Sequence, residues 1–248
     1  MSRDSPLSSL TLGAALLLVF AGRPSRADEG DAAALLTLEG EAALRDRLAE
    51  RVVLLSVTSR AHPHQDAELA PRRFGQAVRA RLDGKPALVT ALAAVEESAA
   101  IELSRAGVPG VAPAVVVERR SASGLATLLC GERCGPVKDA PVVEAAPPGA
   151  CGPGRILFFV APAGEAGLVL GHTIVTGKGE PTLPDLAVVG GQLPDGTPLF
   201  DSEGRLAAMA VRQLQASPAR TLVTSFSPPA APPEPPPSGA DGPEHASP

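Results

Sequence analysis

The sequence predicts an all-β protein, a sandwich or barrel, led in by one short helix. Twelve short apolar runs, rich in Val, Leu, Ile and Ala, follow one another between residues 52 and 226. Gly, Pro or charged turns bound most of them, and a helical spacing of apolar residues is clear in one segment alone. Many short strands separated by turn signals are the pattern of all-β architectures.

The first 27 residues stand outside that fold. Arg3 gives a positive start, Leu10 to Gly22 form an apolar run too short to span a bilayer comfortably, and small Ser25 and Ala27 sit where a signal peptidase reads. The segment reads as a cleaved secretory signal with maturation near Asp28, placing the protein in the periplasm or outside the cell; an uncleaved anchor is the alternative. Export permits disulfides. Of Cys130, Cys134 and Cys151 one must remain unpaired, and both Cys130–Cys134 and Cys134–Cys151 are open on spacing. The spacing is not a zinc pattern.

Residues 31–50 read as the helix. Leu44, Leu48 and Val52 recur every fourth residue, and Glu41 and Arg45 are spaced as an i,i+4 ion pair. "VVLLSVT" from Val52 is the first buried strand, and "AHPHQDAELAPRR" a loop. The strand runs then follow: "FGQAVRARL", "PALVTALAAV", "AIELS", "APAVVVERR", "GLATLLC", "RILFFVAP", "HTIVTG", "LAVVG", "TPLF", "RLAAMAV" and "RTLVTSF". Pro194-Asp195-Gly196 reads as a β-turn with proline in its second position, and Asp201 to Gly204 as a hairpin turn. A boundary between two subdomains is expected near residues 140–155. From Ser227 to Pro248 the Pro-rich sequence has too few apolar residues to fold and reads as a disordered or polyproline II tail.

Composition excludes several functions. With 22 basic against 27 acidic residues the net charge is −5, and there is no Trp, no Tyr and only six Phe, so a nucleic-acid surface is not expected. No Gly-rich phosphate loop is present; Gly177 to Pro181 is a turn. The four histidines are His62, His64, His172 and His245. His62 and His64 with Asp66 are read as a solvated loop rather than a metal pair, and His172 as a surface strand residue. No metal or cofactor is expected. The Arg72-Arg73 and Arg119-Arg120 doublets read as solvated.

Three segments together resemble the trypsin-like serine proteases, in particular the bacterial Do-like (HtrA) branch. Asp83 to Leu103, "DGKPALVTALAAVEESAAIEL", resembles D-G-x-I-L-T-N-x-H-V-V-x-x-A-x-x-I-x-V. Val115 to Cys130, "VVVERRSASGLATLLC", resembles V-V-x-x-D-x-x-x-D-L-A-V-L. Gln192 to Val211, "QLPDGTPLFDSEGRLAAMAV", resembles P-G-N-S-G-G-P-L-x-D-x-x-G-x-V-I-G-I. A weaker fourth match covers Gly154 to Gly177.

The resemblance implies two packed antiparallel β-barrels. It also sets the catalytic positions. The family's His falls on Ala93, its Asp on Gly124 and its Ser on Asp195, so all three roles are vacant. The oxyanion-hole positions become Leu193 and Asp195, where a leucine tolerates glycine-type backbone angles poorly. The peptide pocket implied by the frame has Met209, Ala210 and Val211 as walls and Val189, Gly190 and Gly191 as floor. The expected function is that of an exported pseudo-protease: no catalysis, with an extended peptide or protein segment bound as an added strand. An active peptidase with other catalytic residues, and a non-enzymatic envelope protein of unrelated β fold, are the alternatives. No PDZ-like sequence follows Phe226.

Overall fold

Leu44, Leu48 and Val52, the repeat that marked the helix, are all buried, and they join one apolar cluster with residues from both halves of the chain. The structure is a computed structural model and describes residues 38–60, 71–131, 134–163, 167–178 and 185–226. Helix α1 (Leu38–Arg51) runs straight into β1 (Val52–Ser59). The expected Glu41–Arg45 pair is not the one formed: Arg45 turns to Asp46 at 2.8 Å on the exposed face.

The first barrel holds β1, β2 (Arg72–Leu82), β3 (Lys85–Ala91), β4 (Ser98–Arg105), β5 (Val108–Arg120) and β6 (Leu125–Cys130). It closes in the order β1-β2-β3-β6-β5-β4, with every pairing antiparallel. Between β2 and β3 the two-residue turn Asp83-Gly84 has φ of 51° and 77°, the left-handed pair of a tight hairpin. The run "PALVTALAAV", read as one strand, breaks after Ala91 into the four-residue helix α2 (Leu92–Val95). The second barrel holds β7 (Ile156–Pro162), β8 (Leu168–Lys178), β9 (Leu186–Gly190), β10 (Pro198–Phe200), β11 (Leu206–Leu214) and β12 (Arg220–Ser225), closed as β10-β11-β12-β9-β8-β7. Each of the twelve apolar runs thus contributes to a strand. Gly177 and Lys178, read as part of a turn, extend β8.

Residues 131–155 connect the barrels, with α3 (Gly135–Lys138) at their start. Cys130 and Cys134 form a disulfide there and Cys151 is left out of it. The connection is stitched to both barrels: Val143 N–H donates to Arg79 at 2.7 Å, and Ala146 N–H donates to Leu206 at 2.8 Å. Residues 1–27 and 227–248, and with them His62, His64, Asp66 and His245, lie outside the described residues.

Three apolar clusters hold the molecule. One fills each barrel, and the third is the seam between them, built from α1, β1–β3, β6, β7 and β9–β11 around Phe200 and Met209. Burial of side chains this size stabilises by about 1.5–3 kcal/mol each. Polar groups bridge the same seam. Gln76 Nε2 donates to Val160 in the other barrel at 2.8 Å, and Thr90 Oγ1 donates to Gln76 at 2.7 Å. Gly196 sits directly on this pair: a Cβ there would lie 2.7 Å from Gln76 O and 2.8 Å from Thr90 Oγ1, and its φ is +85°. Gly196→Ala is therefore expected to destabilise the fold by at least about 2 kcal/mol through strain and overpacking. Urea unfolding of the variant measures it, and an unchanged midpoint would contradict this view of the seam.

Candidate functional site

Helix α2 begins where β3 ends, and its first N–H, that of Leu92, donates to Gly124 O at 2.7 Å. That bond fixes Ala93 against the loop between β5 and β6. Gly124 has φ +67°, and a Cβ there would lie 3.1 Å from the Val211 Cβ, so the position is pressed against the second barrel and open to glycine. Val211 lies at a register shift in β11, between Ala210↔Val223 and Arg212↔Leu222, which turns it into the seam. One residue earlier, Ala210 exchanges bonds with the turn before β10: its N–H donates to Thr197 O at 2.9 Å, and Gly196 N–H donates to Ala210 O at 2.8 Å. A chain of direct contacts thus joins the surroundings of Ala93, Gly124 and Asp195.

Ala93 and Asp195 line a common cleft of about 330 Å³, with Arg73, Phe74, Ala94, Pro194 and Gln213. Gly124 is not part of its wall. None of the seven lining residues carries an imidazole, hydroxyl or thiol. Phe74 is 76% exposed and stands at the rim as an unpartnered aromatic face. Among the described residues, no group of three His, Cys, Asp or Glu side chains is placed to hold a metal ion. His172, on β8 opposite Phe158, is exposed and is not among the residues of this cleft.

The turn that carries Asp195 differs in detail from the expectation. Thr197 N–H donates to Pro194 O at 3.1 Å, so Pro194 is the first residue of the turn, not the second. Gly196 then takes the third position, where a positive φ is required. The Asp195 Oδ1 atom is buried and, among the described residues, has no hydrogen-bond partner. Burial pushes this carboxyl above its ordinary value of 3.8, while the Arg73 and Arg212 charges pull it back.

Leu193 stands at the other position expected for the oxyanion hole. Its N–H is already committed, donating to Thr221 Oγ1 at 3.0 Å, while the same hydroxyl donates to Gly191 O at 2.9 Å. Its carbonyl accepts from Gln213 Nε2 at 3.2 Å. Its side chain is buried in the interior cluster of the second barrel, with Val189 and Ala210.

That packing corrects the expected peptide pocket. Val189, Met209 and Ala210 are all at 0% exposure, so their side chains wall no open pocket in this structure. Strand alternation adds a second reason. Met209 faces the seam and Ala210 the barrel interior, so the two point to opposite sides of β11. Of the implied floor, Gly190 is half-buried and Gly191 exposed. Leucine in the place of the family's glycine fills the space beside them. The sequence reading also missed Arg73, Phe74 and Gln213. Arg73 was read as a solvated doublet residue, and the only signal for the others was their place near strand ends that face the cleft.

Two six-stranded antiparallel barrels meeting at a cleft with this connection order define the trypsin-like protease fold. Solved structures agree. The HtrA-type protease AlgW with a tripeptide is similar with a TM-score of 0.57 and 16% identity, over 75% of this chain and 60% of that one. An AlgW variant with a decapeptide gives 0.55 and 17%, over 75% of this chain and 63% of that one. This chain therefore spans less than two thirds of either, and at such identity the likeness is one of fold. No family model matches the chain, and no curated protein does.

Two outcomes follow. Leu193→Ala is expected to cost about 2–5 kcal/mol in urea unfolding, as a leucine buried in a filled barrel interior should; a loss within error would mean that the side chain fills nothing. For Asp195, a folded-state value above the unfolded one means the folded protein holds the proton to higher pH. Stability then falls as pH rises from the unfolded value through the folded one. Asp195→Asn should unfold at a higher urea midpoint than the parent at neutral pH, with the gap closing towards about pH 3.9. A gap independent of pH would exclude the buried carboxylate as its cause.

Proposed function

We propose that this chain is an exported trypsin-like module without peptidase activity that binds an extended peptide in the inter-barrel cleft. The observation that carries the reading is the lining of the cleft: alanine and aspartate at the positions the resemblance assigns to base and nucleophile, and no imidazole, hydroxyl or thiol among the lining residues. Alanine has no lone pair for a proton. A carboxylate attacks an unactivated amide poorly, and its charge opposes a developing oxyanion. Where such residues act as a unit, the loss of one already costs roughly 10⁴- to 10⁶-fold. Leu193 removes a second element of catalysis, because its N–H is bonded to Thr221 and not directed at a substrate oxygen.

Binding is supported by the edge of β11. β10 flanks this strand from Leu206 to Met209, whereas β12 flanks it from Ala208 to Leu214. From Arg212 to Leu214 the strand has a paired neighbour on one side among the described pairings. A peptide added there gains main-chain hydrogen bonds and runs past Gln213 into the cleft. Phe74 offers a ring for an apolar side chain, and the filled barrel interior means that no deep side-chain pocket discriminates. Selectivity then comes from Phe74, Asp195, Arg73 and Arg212 at the rim. The two similar solved structures also hold peptides, a tripeptide in one and a decapeptide in the other.

Purified protein is expected neither to cleave unfolded polypeptide nor to react with a fluorophosphonate, and to bind extended peptides in a fluorescence-polarisation screen. Ala93→Trp, which fills the cleft from α2, should weaken that binding at least tenfold, about 1.4 kcal/mol. Peptide cleavage that disappears in Asp195→Ala would overturn the reading.

A further inference from the structure

The outer face of the first barrel carries an apolar stripe that no described residue covers. Val111, Val115 and Val117 on β5 are 63%, 59% and 54% exposed, and Leu129, paired with Val115 across β6, is 57% exposed. Pro113 lies between them on the same face and is exposed as well. The alternate residues Ala112 and Ala114 point inward and are buried, so Val111, Pro113 and Val115 share the outer side of the strand, and Val117 follows at a register shift between Val116 and Glu118. Contiguous exposed apolar surface of this kind marks a contact.

We propose that the Pro-rich segment 227–237 of this same chain lies along that stripe. The described chain ends at Phe226, in a groove between the barrels of about 230 Å³. Phe226 lines this groove with Arg120, the last residue of β5, and Leu125, the first of β6. The segment that follows therefore starts beside the end of β5, with Glu118, Arg119 and Arg120 between it and Val117. From Arg120 back to Val111 is nine residues of strand, about 30 Å at ~3.3 Å per residue. Segment 227–237 has eleven residues, seven of them proline. At ~3.1 Å per residue a polyproline II run of that length covers about 34 Å. Proline has no N–H, so such a run leaves few donors unsatisfied on an apolar face. The covalent link raises the effective concentration to about the millimolar range, so weak contacts suffice.

A spin label on Ala231→Cys, in a Cys151→Ser background, tests the placement by NMR. The methyl signals of Val115 and Leu129 are expected to lose most of their intensity, and those of Ile156 and Ile174, exposed on the second barrel, to keep theirs. The loss should be independent of protein concentration, and Val115→Asp with Val117→Asp, both on the exposed face, should restore the Leu129 signal. Loss that appears only when labelled unenriched protein is mixed with unlabelled enriched protein would assign the stripe to a second copy. Equal intensities at all four residues would remove the segment from the stripe altogether. Either result overturns the proposal.

Discussion

Where the turn before β10 meets the first barrel, one residue has no side chain. Gly196 presses its backbone onto Gln76 and Thr90, closer than any Cβ permits. Gln76 in turn reaches across to Val160, and Ala210 holds the Gly196 N–H. This small polar knot lies beside the apolar seam around Phe200 and Met209. It holds the turn that carries Asp195 against β2 and β3, alongside the contacts through Gly124 and Val211. The relation between the two barrels is therefore a property of packing.

The cleft itself shows what surrounds the positions that the resemblance assigned. Ala93 leaves room where a ring would stand. Gly124 is compelled to stay small by Val211, so that position is occupied by the neighbouring barrel instead of by a carboxylate. Leu193 turns inward, and its N–H finds a hydroxyl acceptor in Thr221, which satisfies the backbone locally. These three positions are packed in mutually consistent ways.

Asp195 is the exception. Its buried Oδ1 has no partner among the described residues, and burial raises the carboxyl against the pull of Arg73 and Arg212. An unsatisfied buried acceptor costs stability and is uncommon in folded proteins. Phe74, exposed at the rim, lines the same cleft.

Sequence alone determined the strands. Each apolar run was legible because burial on one face of a pleated strand imposes a local pattern, and the Leu44, Leu48, Val52 repeat was legible for the same reason in a helix. The order of the runs, through the family resemblance, also gave the two barrels and brought Ala93 and Asp195 to the same place. Only the tertiary structure decided which residues face the cleft. Arg73 and Phe74 reach it because β2 pairs with β1 in one particular register, and Met209 and Ala210 miss it because alternation sends one to the seam and the other inward. Register and the side on which a strand meets its neighbour depend on contacts between residues distant in the chain, and a local pattern carries no record of them.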